Sequence, residues 1–587
     1  MNDETSEKTE KLKSLKAEEK ISFKPFGFSA LKPLFLPALA LALPLAAAAA
    51  PAKSARLAAE MTAVPAGDLA AATENFLGEK RVAWRGERVL VRVKTTLPAR
   101  AKLSAELVSA AGARVPARAE YVRSTLGQGG VPVADVVEPA GTPFRIPAGE
   151  AFVLVSADVP ADAAPGAYAL NFSVNGKARK AADVEVLPLA LPPPRAWKIH
   201  LDLWQHPEAV ARWTGAKLWS REHFAAMRPM MRRLADAGQK VITCSIIEEP
   251  WDHQTRDDWS SMVKWRRTRA GTWKFDYAAF DAYVSFMREI LGEDAQISCY
   301  TMVSWSLKTT YFDEAAGAEK TVSLDPASPD YDATWKAFLT DFRAHVAKKG
   351  WLEKTCIALD ERPDALVNAA RAVVEKYAPE LKIVSAVDRP TKMAPFVHDI
   401  SAAFQHSGGV AELADARRAE GRTTTFYVCT SPAKPNTFPH SSAAEPHWLL
   451  LYAAAARFDG FLRWAYNSWV ENPFADCRWP QRAWPAGDCF LVYPGDRTTP
   501  RFETLRDGVE DFEKIRILEE RAALPDADAK LKTAVAELRA FLEDAFTVQA
   551  GYGDAHAAQV REARARIDRA SALAAKTSAR AAGAPAR

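Results

Sequence analysis

After the stiff stretch Leu191-Pro-Pro-Pro194 the chain settles into one repeated grammar, and that repetition constrains its fold more than any other feature. Short apolar runs alternate with amphipathic ones. Strands are expected at Trp197–Leu203, Lys240–Ile247, Gln296–Met302, Thr355–Leu359, Leu381–Val387, Ile400–Phe404, Thr423–Cys429 and Gly460–Tyr466. Helical stretches fall between most of them: Arg221–Ala237, Tyr277–Leu291, Asp332–Lys349, Pro363–Tyr377, Val410–Glu420 and Glu445–Arg457. Eight strands alternating with helices over roughly 300 residues is the count and length of a (β/α)8 TIM barrel, whose chemistry gathers at the C-terminal ends of the strands. Strand four ends in Asp360-Glu361. Adjacent acids most often cap helices or face water. At a strand end in a cleft, one can stay ionised while the other, in a drier setting, holds a proton near neutral pH, as acid-assisted bond cleavage requires.

The other strand ends are crowded with polar and aromatic groups. Strand one ends in Asp202-Leu-Trp204-Gln-His206, strand two in Glu248-Glu249-Pro-Trp251-Asp-His253, and strand three in Tyr300 through Trp305. Strand seven ends in Tyr427-Val-Cys429-Thr, and strand eight in Arg463-Trp464-Ala-Tyr466-Asn467-Ser-Trp469. Convergence of several strands on one face marks a ligand site. The 17 Trp matter for the same reason, because flat aromatic faces stack on sugar rings, although most of them are expected in the core.

Upstream, residues 75–190 show short alternating runs punctuated by Gly and Pro, such as Glu87–Lys94, Ala105–Ser109, Ala151–Ser156, Tyr168–Val174 and Ala182–Leu187. That pattern indicates an N-terminal antiparallel β-sandwich, with no constellation suggesting chemistry. The barrel is expected over 195–520, with the amphipathic helix Arg501–Arg521 packed against it. Residues 521–587 read as a helical extension with a disordered final dozen.

Residues 1–52 are excluded from the fold. A lysine-rich lead and the apolar run Leu34–Ala50, broken by Pro37 and Pro44, resemble an export signal cleaved near Ala50 or Ala52. The expected location is periplasmic or extracellular, with an uncleaved membrane anchor as the alternative. Cys244, Cys299, Cys356 and Cys429 sit in strand-like runs as apolar fillers, and Cys477 and Cys489 in a loop-rich stretch could pair in an oxidising compartment. No Cys or His spacing suggests zinc. A net charge of +4, much of it at the two ends, carries no nucleic-acid footprint, and no protein partner is evident.

The segments Tyr427-Val-Cys-Thr-Ser-Pro-Ala-Lys-Pro435-Asn436-Thr-Phe438, Phe458 through Trp469, Trp484-Pro-Ala-Gly-Asp488 through Gly495, and Arg501 through Arg516 closely resemble the catalytic domain of glycoside hydrolase family 123. Val82-Ala-Trp84-Arg-Gly-Glu87 is similar to the start of that family's sandwich, so the resemblance spans about residues 75–520. It implies a retaining exo-acting β-N-acetylgalactosaminidase that removes terminal N-acetylgalactosamine from a glycan or glycolipid and needs no metal or organic cofactor. It places the family's Asp-Glu pair on Asp360 and Glu361, with Glu361 as proton shuttle and Asp360 orienting the substrate's acetamido group in substrate-assisted catalysis. A tyrosine donor to the acetamido oxygen is expected, with Tyr466 and Tyr427 as candidates. Trp464, Trp469 or Trp204 would form the sugar platform, and Asn436, Asn467, Arg463 and Asp488 would bond hydroxyls. His447 stands where relatives often carry arginine, which bears on hydroxyl specificity. Two alternatives remain open: a hydrolase of another N-acetylhexosaminide, such as N-acetylglucosamine, and a non-catalytic carbohydrate-binding protein.

Overall fold

The computed structural model describes residues 51–64, 77, 78, 80–389 and 396–583, so the expected export segment lies outside the described residues apart from its last two. Among the described residues no helix is long and apolar enough to cross a membrane.

The fold is mixed α/β. Eight strands between Lys80 and Ala190 form one sheet, antiparallel throughout except where Lys80–Arg85 runs parallel to Lys177–Ala190. Three of the strands, Lys80–Arg85, Arg114–Leu126 and Pro132–Glu138, were not among the alternating runs. In the second of these, Arg123 is buried, its guanidinium 3.0 Å from Glu138 and 4.2 Å from the Phe474 ring centroid. Several strands are buried on both faces, one on a core that includes Val89, Leu107, Val155 and Leu170, the other on a second cluster containing Leu90, Phe152 and Leu154. Alternation fades wherever both faces are covered.

The second sheet holds all eight expected strands, each paired in parallel: His200–Leu203, Val241–Ser245, Gln296–Tyr300, Thr355–Leu359, Lys382–Val387, Asp399–Ala403, Thr423–Tyr427 and Gly460–Arg463. Its order runs from the second strand through the eighth and on to the first, a near-barrel. The first and second strands meet at a single bridge, Leu201–Gln239. Side-chain amides take over from the ladder there. Gln239 Oε1 accepts from the Leu203 N–H at 2.9 Å, and Gln205 Oε1 accepts from the Thr243 N–H at 3.0 Å, so the backbone donors stay satisfied.

A four-stranded sheet, Lys264–Arg267, Trp273–Asp276, Lys308–Asp313 and Ala318–Ser323, is inserted after parallel strands two and three, where no strand was expected. It ties the loops of those strands together: the Trp305 N–H donates to the Pro250 carbonyl at 3.1 Å, and the Glu248 N–H donates to Thr309 Oγ1 at 3.1 Å.

The helix Pro500–Ala522 lies between the two large sheets, so its charged face is buried as well as its apolar one. Several of these charges are met by ion pairs or backbone N–H groups, which offsets the cost of burying them. Glu503 meets Arg88, Asp135 on the N-terminal sheet meets Arg501 at 3.0 Å, and Glu513 accepts the N–H groups of Lys198 and Ile199 at the entry to strand one. The last helix, His556–Gly583, sends Arg564 to both Asp511 and Glu87. It continues into the final dozen residues, where alanine's high helix propensity outweighs the polar composition that suggested disorder. Cys477 and Cys489 are buried free thiols.

Candidate active site

The strand Thr355–Leu359 is buried along its whole length between strands three and five, with Tyr300 opposite Ala358 and Leu359 opposite Ser385. Its next two residues, Asp360 and Glu361, emerge half-buried at the C-terminal edge, and Pro363 starts the helix Asp364–Tyr377. The two carboxylates enter a cavity of about 150 Å3 lined by Trp204, Trp251, Gln254, Trp305, Tyr427, Cys429, Thr430, Trp464 and Trp484, with Ala386 and Leu462 also in its wall. That volume is on the scale of one small ring.

The acids sit in different settings. Asp360 Oδ2 accepts a 2.7 Å hydrogen bond from Trp305 Nε1. Burial raises the Asp360 pKa, while Trp305, the Glu361 backbone, Arg362 and Trp251 act to hold the carboxylate charged. The Arg362 guanidinium lies 4.9 Å from the Trp305 ring centroid, which fixes the indole's position. Glu361 is pushed up to about 7, first by burial and then by the neighbouring Asp360 charge. The Tyr427 hydroxyl donates to Glu361 Oε1 and partly offsets that rise. At neutral pH the pair therefore offers a carboxylate steadied by an indole N–H beside a carboxyl group poised to exchange a proton.

The aromatic wall is continuous. Trp204 contacts Trp251 at 5.2 Å and Tyr300 at 4.7 Å between ring centroids, Trp251 contacts Trp259 at 4.5 Å, and Trp259 stacks on His206 at 3.8 Å. On the other side Trp464 meets Trp484 edge-on at 5.2 Å. Beneath the pocket, buried Asp202 is raised to about 7 by desolvation.

Of the residues singled out from the sequence, Asp360, Glu361, Tyr427, Trp464 and Trp204 line this cavity. The rest do not reach it, and each has a structural reason. The Tyr466 hydroxyl donates to the Met230 carbonyl at 3.0 Å, and Trp469 Nε1 donates to the Val492 carbonyl at 2.7 Å, because strand eight ends at Arg463 and the chain then turns inward. Asn436 Nδ2 donates to the carbonyls of Cys429 and Pro432, holding the loop after strand seven. Asn467 exchanges two 2.9 Å hydrogen bonds with the His206 backbone. Arg463 and Asp488 form a fully buried ion pair at 2.6 Å, and the second Asp488 oxygen accepts from Trp464 Nε1 at 3.0 Å, so the pair positions Trp464. His447 is buried against Asp511 at 2.9 Å, in the charge cluster around Arg564. Tyr466, Trp469, Asn436, Asn467, Arg463, Asp488 and His447, expected to meet the sugar, thus stand outside the cavity lining.

The lining residues that escaped individual notice include Trp251, Gln254, Trp305 and Trp484. Trp251 and Trp305 stood in strand ends already marked as aromatic, and Trp484 in one of the motifs quoted above; only their convergence in space separates them from the other indoles. Among the described residues, Glu249, His253 and Asp258 are the group that brings potential metal-ligand atoms within 4.8 Å of one another, in an exposed part of the strand-two loop where His253 and Asp258 already pair at 2.9 Å.

Comparison with known proteins is consistent with this geometry. A family model described as the catalytic domain of glycoside hydrolase 123 matches residues 204–518. A family 123 glycoside hydrolase from Clostridium perfringens, whose structure was determined to explain glycolipid glycan hydrolysis, superimposes with a TM-score of 0.74. It is 24% identical, the alignment covers 85% of this chain and 93% of that one, and the likeness is one of fold. A GH5 xyloglucanase from Bacteroides ovatus aligns with a TM-score of only 0.30 at 8% identity, covering 73% of this chain and 98% of that one. No curated protein sequence matches the chain. With the family model spanning more than half of its length, the chain belongs to glycoside hydrolase family 123 and is a glycoside hydrolase.

Proposed function

We propose that the chain is an exported, retaining exo-glycosidase that removes terminal β-linked N-acetylgalactosamine from glycolipid glycans by substrate-assisted catalysis. The observation that carries this reading is the split of the two adjacent acids in a cavity sized for one ring: Asp360 held by Trp305 Nε1, Glu361 raised to about 7. The Clostridium perfringens relative's work on glycolipid glycans supports the substrate class. The near-barrel is read as a (β/α)8 catalytic domain over 195–520 and the N-terminal sheet as a sandwich over 75–190. Export rests on the leader-like residues 1–52.

Glu361 Oε1 is occupied by the Tyr427 hydroxyl, so Oε2 is the oxygen that carries the proton. In the first step that proton goes to the glycosidic oxygen as the bond to the anomeric carbon breaks and the substrate's own acetamido oxygen attacks that carbon. Asp360 accepts the acetamido N–H, orients the attacking oxygen and stabilises the cationic oxazolinium. Water then attacks the anomeric carbon as its bond to the acetamido oxygen breaks, Glu361 takes the water's proton, the acetamido group is restored, and the configuration is retained. Of the two candidate tyrosines, Tyr427 lines the pocket, which supports it over Tyr466.

The test is turnover of nitrophenyl N-acetyl-β-galactosaminide by purified protein. Wild type cleaves it and Glu361→Gln loses about 10²–10⁴-fold in rate. Equal turnover by the variant overturns the assignment, and sugar binding without turnover by wild type favours a binding protein.

A further inference from the structure

A second, larger cavity of about 830 Å3 adjoins the catalytic pocket at a shared lining residue. Trp484 lines both cavities. The strand-two loop also serves both, presenting Trp251 and Gln254 to the pocket and Arg256 to the groove. The groove is well anchored: its loop is clamped to the N-terminal sheet by hydrogen bonds from the Leu126 N–H to the Ala475 carbonyl and from the Cys477 N–H to the Leu126 carbonyl, at 3.1 and 2.9 Å. Gln128, at the tip of that sheet's hairpin, lines the groove and accepts the Ala486 N–H at 2.9 Å.

Its charges do not cancel. Arg256 pairs with Glu471 and Arg478 with Asp476, both at 2.6 Å. Arg482 has no carboxylate partner among the described residues; it donates to the carbonyls of Asp252 and His253 at 3.3 and 3.2 Å, and its guanidinium lies 5.8 Å from the Trp484 ring centroid. An exposed guanidinium leaning on the indole that divides pocket from groove is a donor for an anion on whatever leaves the pocket.

We propose that the groove holds the saccharide attached to the terminal sugar, and that it selects acidic saccharides through Arg482, which meets a carboxylate or sulfate on the sugar next to the scissile bond. This rests on the glycosidase reading above. Carboxylate and sulfate share the chemistry of a planar-edged or tetrahedral oxyanion that a guanidinium binds through paired N–H groups.

Three trisaccharides ending in β-N-acetylgalactosamine test it, with galactose, galacturonate or 6-sulfogalactose as the next sugar, alongside the nitrophenyl glycoside. Wild type is expected to favour at least one acidic substrate over the neutral one by about tenfold in kcat/KM, equivalent to about 1.4 kcal/mol. That preference falls in high salt because the site is open to solvent. Arg482→Gln brings the acidic-to-neutral ratio to about one, and Arg482→Lys restores part of it. A purely structural Arg482 would change all substrates alike and leave the ratio untouched, which would overturn the proposal, as would a wild-type ratio of one. Preference for only one acidic substrate identifies its source. Should the nitrophenyl glycoside go uncleaved, the glycosidase reading fails, and calorimetric binding of the same trisaccharides to wild type and Arg482→Gln decides the groove by itself.

Discussion

Replacing Tyr427 with phenylalanine removes one hydroxyl from the site and should move the pH dependence of catalysis in a direction the structure dictates. The hydroxyl donates to Glu361 Oε1, and a hydrogen bond to the ionised form lowers a carboxyl pKa. Without it the Glu361 pKa rises above its present value of about 7. A hydrogen bond to a charged group contributes about 1.5–3 kcal/mol, and one pKa unit corresponds to about 1.36 kcal/mol, so the full effect is about 1–2 units. The half-buried carboxyl keeps some contact with water, which places the expected shift near the lower end, at about 1 unit. Because a general acid must be protonated, kcat/KM declines above its pKa. Profiles of kcat/KM against pH on the nitrophenyl substrate should therefore show the alkaline limb near pH 7 in wild type and near pH 8 in Tyr427→Phe. The limb's position is the readout, whatever the change in plateau height. An unmoved limb, or one displaced to lower pH, would refute the reasoning.

Three further outcomes follow from named contacts. Trp305→Phe removes the 2.7 Å donor to Asp360, so the Asp360 pKa rises and the acidic limb of the same profile moves up by about 1 unit. Asp488→Ala leaves the fully buried Arg463 guanidinium without its counter-charge and frees the Trp464 indole; denaturant unfolding should show a loss of about 3–5 kcal/mol, and surviving protein a raised KM. Gly460→Ala sets a Cβ 2.0 Å from the His200 carbonyl oxygen, where strand eight meets strand one; since backbone cannot step aside cheaply, unfolding should reveal a loss of about 3 kcal/mol or more.

Much of the parallel sheet was legible because most of its strands are apolar runs set off by a helix, and Thr355–Leu359 forms over the span its sequence suggests. Strand ends blur where side chains substitute for the ladder: Trp197 follows a short 3-10 turn, Pro194–Ala196, ahead of strand one and sends its indole N–H to the Pro192 carbonyl. The small inserted sheet escaped notice because Lys264–Arg267 and Ala318–Ser323 are too polar and short for an apolar period. At the site, Asp360 and Glu361 were legible through their place at a strand end. The aromatic partners were not, since Trp469 and Trp305 have the same local chemistry. Only the inward turn after Arg463 buries the first against Val492, and only its contacts with Pro250 and Arg362 hold the second over Asp360. Asn436 and Asn467 illustrate the same ambiguity. An amide that could bond a sugar hydroxyl can equally bond backbone, and both side chains here close loops.

The central claim is that Asp360 acts on the substrate's acetamido nitrogen while Glu361 handles protons. A crystal structure of the protein with a thiazoline mimic of the bicyclic intermediate measures this directly. The account predicts an Asp360 carboxylate oxygen about 2.6–3.2 Å from the thiazoline nitrogen, with Glu361 Oε2 facing the anomeric carbon. A thiazoline nitrogen bonded to another residue, with Asp360 turned away, would contradict it.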